Sequence, residues 1–401
     1  MASSNPDLVP DVLSEQAGEL GEANFSKKFV TCESGLDRVR EVWEHHEDRA
    51  KGRAMSFSID IEPTNRCNAK CHFCPRDQTP HQGLMSPEVF AQSLRRAVEY
   101  RDLALEKTGQ DANINLCGLG EPLLNRHTPD FVRQARDAGF EVAMSSNAAL
   151  LNEQRGRALL DAGLQTILIN VGAEGGEYES VYQLPFEKTR DNVVRFVEMA
   201  GPECVVQVVL VNYRRDAAHT RKMERYWREY GVNAFVRYDV INRGGALFVD
   251  HMQFESYPQL AKARETLASR GAGIPLCGAP FGYLFIGYDG QYYLCCSDWK
   301  KETPMGSVFD ESFRSVTERK LSYVTSRSPV CRTCNHDPIN RLTDALKATD
   351  EGRAEPGSVE RELESILEDD QHVHEILDGL DVAGPDHALE PPRRRIPLRV
   401  E

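Results

Sequence analysis

Long apolar runs, basic clusters and dinucleotide-binding glycine patterns are all missing from this chain of 401 residues. No run is apolar for long enough to span a bilayer as a helix. The amino terminus, MASSNPDLVPDVLSEQAGELGEANF, has neither the basic start nor the apolar middle of a secretory signal. Lys and Arg number 48 against 62 Asp and Glu, a net charge of −14. That balance repels phosphate and excludes nucleic acid as the expected partner. One basic block, Arg393 to Arg395, reads as a solvated tail. The segment GAEGGE at 172–177 is not G-x-G-x-x-G and opens no βαβ unit, so no nicotinamide cofactor is expected. These absences predict a cytoplasmic protein whose thiols stay reduced.

Cysteine, by contrast, is plentiful. The chain has 11, which in a reducing compartment points to metal ligands rather than disulfides. They cluster: Cys67, Cys71 and Cys74 in one loop, then Cys277, Cys295, Cys296, Cys331 and Cys334.

The segments between these groups alternate. In MSFSIDIEP, Met55, Phe57, Ile59 and Ile61 share one face, as in a strand. Ser86 and Pro87 then open a helix as N-cap and first-turn proline. Strands at 112–117, 140–146, 166–172, 204–212 and 234–240 follow, with helices at 128–138, 152–162, 187–199 and 217–230 between them. A sixth helix is expected after 240. Such alternation predicts an α/β fold with parallel strands and right-handed crossovers. Six rounds fall short of the eight of a closed barrel, so an open, partial (β/α)6 TIM-like barrel is expected.

The expected organisation is a polar extension at 1–54 with a helix near 34–52, the barrel at 55–250, a small cysteine-bearing domain at 251–346 and a partly disordered tail at 347–401. The small domain contains a hairpin around Asp289 and Gly290 and helices near 258–270 and 311–324.

The three-cysteine loop follows the first strand and so lies at the end of the barrel where chemistry is housed. Thiolates select zinc or iron–sulfur clusters. A structural zinc needs a fourth ligand. His72 is the nearest candidate, but it sits inside the same tight loop, where its ring converges poorly with the sulfurs. Three thiolates alone suit a [4Fe–4S] cube with one iron open.

The pattern Cys67-x-x-x-Cys71-x-Phe73-Cys74 resembles the signature of the radical S-adenosylmethionine (SAM) enzymes. The resemblance implies that the three cysteines hold a [4Fe–4S] cluster whose open iron chelates SAM, and that Phe73 stands at the aromatic position. It implies reductive cleavage of SAM to a 5′-deoxyadenosyl radical that abstracts a substrate hydrogen. Gly118, Gly120 and Glu121, in CGLGEP, resemble the family's Gly-Gly-Glu segment, with Leu119 where a glycine often stands. Ser145 and Asn147 in SSNA, and Asn170 in INVGAE, stand at later strand ends where the family contacts SAM.

Cys277, twelve residues, Gly290, four residues and Cys295, followed by the pair Cys331 and Cys334, resemble the SPASM or shorter Twitch cluster region. Nothing follows Cys334 in this pattern. The expectation is therefore a Twitch-type domain with one auxiliary [4Fe–4S] cluster on Cys277, Cys295, Cys331 and Cys334, and with Cys296 beside it. The layout resembles that of the 2-deoxy-scyllo-inosamine dehydrogenase type. This implies oxidation of a small sugar-like or aminocyclitol substrate, with reduced flavodoxin or ferredoxin as electron donor.

Cys117, Arg237 and Asp239 are the expected catalytic residues, with Tyr213 and Arg243 beside them at strand ends. Three rival readings remain: epimerisation with Cys117 or Cys296 as hydrogen donor, modification of a ribosomal peptide, and a zinc-stabilised binding protein.

Overall fold

Strands with one apolar face need a helical layer to cover it, and the chain supplies that layer piece by piece. The computed structural model describes residues 29–31 and 57–382, apart from 80, 110, 248–251 and 270–272. The expected helix near 34–52 and the basic block at 393–395 lie outside the described residues.

Strand β1 (Phe29–Thr31) is followed by β2 (Phe57–Ile61), α1 (Pro87–Thr108), β3 (Ala112–Leu116), α2 (Thr128–Asp137), β4 (Val142–Ser146), α3 (Glu153–Asp161) and β5 (Thr166–Asn170). Then come α4 (Gly175–Tyr182), α5 (Phe186–Ala200), β6 (Val205–Asn212), α6 (Ala217–Glu229) and β7 (Ala234–Asp239). Strands β2 to β7 pair in parallel, each with the next. Ser86 caps α1 by accepting from the Val89 N–H, and Gly109 ends it at φ 69°.

The strand period of two sorts the side chains. Ile59, Ile61, Ile114, Leu116, Met144, Ile167 and Ile169 are fully buried against Phe90, Phe131, Phe196 and Trp227 of the helices. Each contributes about 1.5–3 kcal/mol, so this outer face holds the barrel together. The opposite face carries Asp60, Asn115, Ser145 and Asn170 and is left for chemistry.

No α-helix among the described residues directly follows β7 where the sixth was expected. Among the described residues, 3₁₀ turns at Arg243–Gly245 and Phe254–Ser256 follow β7 instead. Gly244 and Gly245 take φ 60° and 83°, which an α-helix cannot accommodate. The structure is thus a partial barrel whose last unit, among the described residues, lacks a regular helix. Strand β1 pairs antiparallel with β7 and lengthens that edge, which places part of the polar extension in the sheet.

The second region contains α7 (Gln259–Ala268), α8 (Ala279–Gly282), β8 (Tyr283–Ile286), β9 (Gln291–Tyr293), β10 (Pro304–Ser307), α9 (Phe313–Thr325), α10 (Pro329–Thr333), α11 (Pro338–Asp350) and α12 (Ser358–Gly379). Strand β8 does more than form a hairpin with β9. It pairs in parallel with β2, so the two regions share one sheet. Within the segment expected as a partly disordered tail, α12 is ordered: Leu363 and Ile366 pack on Leu267 of α7 and Leu342 of α11. No described helix is long and apolar enough to cross a membrane.

Candidate active site and cluster pockets

The three-cysteine loop leaves the C-terminal end of β2 and is fixed from several sides. The N–H groups of Lys70 and His72 donate to the carbonyls of Tyr182 (3.2 Å) and Val181 (3.0 Å) at the end of α4. Arg76 Nε donates to the Ala69 carbonyl at 2.7 Å. Phe73 meets Tyr182 edge-on and stacks on Tyr213, at 5.4 and 5.9 Å between centroids. His72 is exposed, whereas the three cysteines are partly buried.

Burial pushes all three thiols up, Cys67 to about 11, and neighbouring thiols push Cys67 and Cys71 further. Without a metal these groups stay protonated at neutral pH; a bound cation converts them to thiolates. Among the described residues, no three His, Cys, Asp or Glu side chains close on one point as ligands of a single metal ion must. Sulfurs that each hold a separate iron of a cube need not converge in that way.

The next strand ends close around this loop. A Cβ on Gly120 would lie 2.3 Å from the Thr64 carbonyl oxygen and 2.4 Å from that of Arg66. Only glycine lets the two backbones approach so closely. Glu121 is buried. It accepts from Ser146 Oγ (2.9 Å), the Leu123 N–H (3.2 Å) and the Asn147 N–H (2.7 Å). Expected as a SAM contact, it also braces the second strand end against the third. Asn147 Nδ2 reaches Asn68 Oδ1 (2.9 Å) and Cys67 Sγ (3.8 Å), joining the third strand end to the cysteine loop. Glu62, which the sequence did not flag, accepts from the Leu119 N–H (2.9 Å) and from Lys301 Nζ (2.8 Å), a buried pair between the two regions. A Cβ on Gly118 would lie 2.5 Å from Glu62 Cγ.

The second cysteine set surrounds a cavity of about 240 Å³ lined by Cys277, Cys295, Cys331 and Cys334. Donors already aim at its sulfurs: the Ser297 N–H at Cys295 (3.4 Å), Ser328 Oγ at Cys331 (3.4 Å) and the His336 N–H at Cys334 (3.4 Å). Burial pushes all four thiols up. Asp370 and His374 of α12 complete the wall. Cys296 does not line this cavity.

Residues 61–212 match the radical SAM superfamily, and residues 277–335 match SPASM, an iron–sulfur cluster-binding domain. The chain carries a radical SAM domain followed by a SPASM domain. It is similar to a GTP 3′,8-cyclase of Synechococcus sp. (strain CC9605), 37% identical over 129 residues, which are 30% of this chain and 34% of the cyclase. The chain therefore spans about a third of the length of that curated relative. Among solved structures it is similar to native anSMEcpe with bound AdoMet, with a TM-score of 0.50, 14% identity and coverage of 81% of this chain and 99% of that one. It is also similar to BtrN in complex with AdoMet and 2-DOIA, with a TM-score of 0.43, 16% identity and coverage of 72% and 96%. At these identities the likeness is one of fold.

A radical SAM domain binds SAM and a [4Fe–4S] cluster, and a SPASM domain binds auxiliary clusters. The residues present fit both: three thiols on the barrel loop, four around the second cavity. Ser145 and Asn170 lie half-buried on the inner face of the radical SAM barrel, at the ends of β4 and β5.

The inner face also corrects two expectations. Arg237 pairs with Glu224 of α6, so it faces the helical layer. Asp239, two residues on, is exposed and accepts from Asn212 Nδ2 at 2.9 Å. The residue between them, Tyr238, faces inward, because a strand alternates. Tyr213 covers Phe73 and donates to Glu177. Arg243 lies over the Trp299 ring, 4.5 Å from its centroid.

Cys117 does face inward, in company the sequence missed. Asp60, 6% exposed, accepts at Oδ1 from Ser58 Oγ (3.0 Å) and Asn115 Nδ2 (3.4 Å). Asn115 Nδ2 also donates to Cys117 Sγ at 3.0 Å. Burial raises the Asp60 pKa from 3.8 to about 6, against the pull of Ser58, Asn115 and Cys117. Tyr238 is pushed up to about 12 by burial, then by Cys117 and Asp60. Strands β2 and β7 are separated by β3 to β6 in the sheet, yet these side chains interact. The six parallel strands therefore curl enough for β2 and β7 to share one lumen. Cys296 is near these side chains: burial pushes its thiol up to about 11, with Arg243 pulling it down and Asp60 pushing it up. One signal was available: Ser58 and Asp60 interrupt the apolar face pattern of SIDI on the side opposite Ile59 and Ile61.

Proposed function

We propose that this radical SAM enzyme dehydrogenates a small hydroxylated substrate of the sugar or aminocyclitol class, held in the barrel lumen. When bound, SAM and the first cluster supply a hydrogen-abstracting 5′-deoxyadenosyl radical, and the second cluster supplies an electron sink. Converting a carbinol to a ketone removes one hydrogen atom, one proton and one electron. Cys67, Cys71 and Cys74 fix where the hydrogen atom leaves. Asp60 accepts the hydroxyl proton as a carboxylate, in place of Arg237 and Asp239. Cys277, Cys295, Cys331 and Cys334 enclose the site that receives the electron. Tyr238 and Arg243 grip the substrate's remaining polar groups.

The observation that carries this reading is the inward-facing group of Asp60, Asn115, Cys117 and Tyr238. Cys296, beside the cavity-lining Cys295, is among the charged neighbours of this group. A reduced flavodoxin or ferredoxin fits as electron donor.

The test is anaerobic. Protein reduced with dithionite, given SAM and a panel of cyclitols and aminocyclitols, should yield 5′-deoxyadenosine and a product two hydrogens lighter. A product of unchanged mass carrying one solvent deuterium would replace this reading with epimerisation, which the lumen thiol of Cys117 favours as the second reading.

A further inference from the structure

Lys320 is a buried cation that the reading above does not use. It sits on α9 with 1% of its surface exposed. Its Nζ donates to the carbonyls of Pro280 (2.8 Å) and Tyr283 (3.4 Å), at the two ends of α8 and the start of β8. Among the described residues no carboxylate pairs with it. Two carbonyl dipoles do not neutralise a buried ammonium, which calls for a countercharge. Burial pulls its pKa down to about 8, and Cys295 and Cys296 act the other way, favouring the protonated form. Pro280 and Cys295 also line the second cysteine cavity.

A [4Fe–4S]2+ core with four thiolates carries a net charge of about −2, and one-electron reduction adds another negative charge. A fixed cation beside one of those thiolates stabilises the reduced form more than the oxidised form. We propose that Lys320 is the counter-cation of the SPASM cluster and raises its reduction potential, making that site an electron acceptor. The inference rests on the dehydrogenation reading only for the use to which the potential is put.

The reaction concerned is one electron added to the cluster, with no bond made or broken. Removing the charge leaves the oxidised form favoured. Lys320→Met keeps the length of the side chain; Lys320→Gln keeps a donor for the Pro280 and Tyr283 carbonyls; Lys320→Arg keeps the charge.

The experiment is an EPR-monitored redox titration of the full chain with both clusters in place. Added SAM marks the signal of the first cluster and leaves that of the second unmarked. Lys320→Gln and Lys320→Met should weaken electron uptake by the second cluster at least tenfold, about 59 mV for a one-electron couple, and leave the first unmoved. Lys320→Arg should stay near the wild-type value. Iron content and absorbance establish that each variant holds its clusters. Should Lys320→Met fail to hold the second cluster, Lys320→Gln alone decides.

An unchanged second potential in a fully loaded Lys320→Gln protein overturns the inference. So does an equal fall in Lys320→Arg, which would make the role one of packing. A lowered potential in an enzyme that removes hydrogens from no polyol would sink the dehydrogenation reading and leave this inference standing.

Discussion

The two cysteine sites use the same ligand in opposite ways. The first places three thiols on one short loop, half-buried, at the mouth of a polar lumen. The second gathers four thiols from separate segments into a cavity behind β8 and β9, closed by α12. A cube held by three sulfurs leaves one iron for a small molecule; a cube held by four leaves none and can only pass electrons. Ligand count and burial, rather than ligand type, divide the labour. The fold reinforces the division while keeping the sites adjacent. Parallel pairing of β8 with β2 puts both in one sheet, and the buried Glu62–Lys301 pair ties the 117–121 segment to the second region.

The comparison can be broken most severely at the first site. Cys71→Ala should abolish SAM cleavage altogether and remove about four irons, leaving the second cluster visible by EPR. Residual cleavage in that variant would mean that the loop is not the SAM site.

At the second site, adjacent residues should behave differently. Cys295→Ala should lose the second cluster and product formation while retaining SAM cleavage without substrate. Cys296→Ala should keep both clusters, measured as iron per chain, since Cys296 does not line the second cavity.

Within the lumen, Asp60→Asn should lower product formation about 10²–10⁴-fold, the usual range for a lost proton acceptor. Wild-type activity should fall as pH drops through about 6, where the carboxylate becomes protonated. Stability runs the other way. A carboxyl raised from 3.8 to about 6 by folding stabilises the protein when protonated. That contribution is full below about pH 4 and is lost as pH rises through about 6. Two pKa units correspond to about 3 kcal/mol. Asp60→Asn should therefore melt higher than wild type at pH 8 and similarly at pH 4.

The smallest effect belongs to the outer face. Arg237→Met should cost about 1 kcal/mol of stability in denaturant titration, because Glu224 keeps Arg228 as a partner. Its turnover should stay within about twofold of wild type. A large loss of turnover would restore Arg237 to the lumen.

The sequence carried the features with strict spacing. Cys67, Cys71 and Cys74, the set from Cys277 to Cys334, and the first five strand–helix rounds are local patterns, legible from spacing and periodicity alone. Features that depend on closure of the barrel were not legible. Asp60 and Tyr238 are far apart in the chain and meet only because the sheet curls. Arg237 and Asp239 were placed by nearness to a strand end, without counting alternation from Val236. Lys320 reads as an ordinary helix lysine until α8 and β8 cover it. The segment that forms α12 is amphipathic in sequence, but its partners on α7 and α11 come from other stretches of the chain and have no local signature.

Two cubes, one with an open corner, are what radical formation and electron uptake require of this chain. The most direct measurement is Mössbauer spectroscopy of anaerobically prepared, ⁵⁷Fe-labelled protein with and without SAM. The account predicts about eight irons per chain as two [4Fe–4S] clusters. Added SAM should alter one iron site of the first cluster and none of the second. A single cluster, stoichiometric zinc, or spectra indifferent to SAM would contradict it.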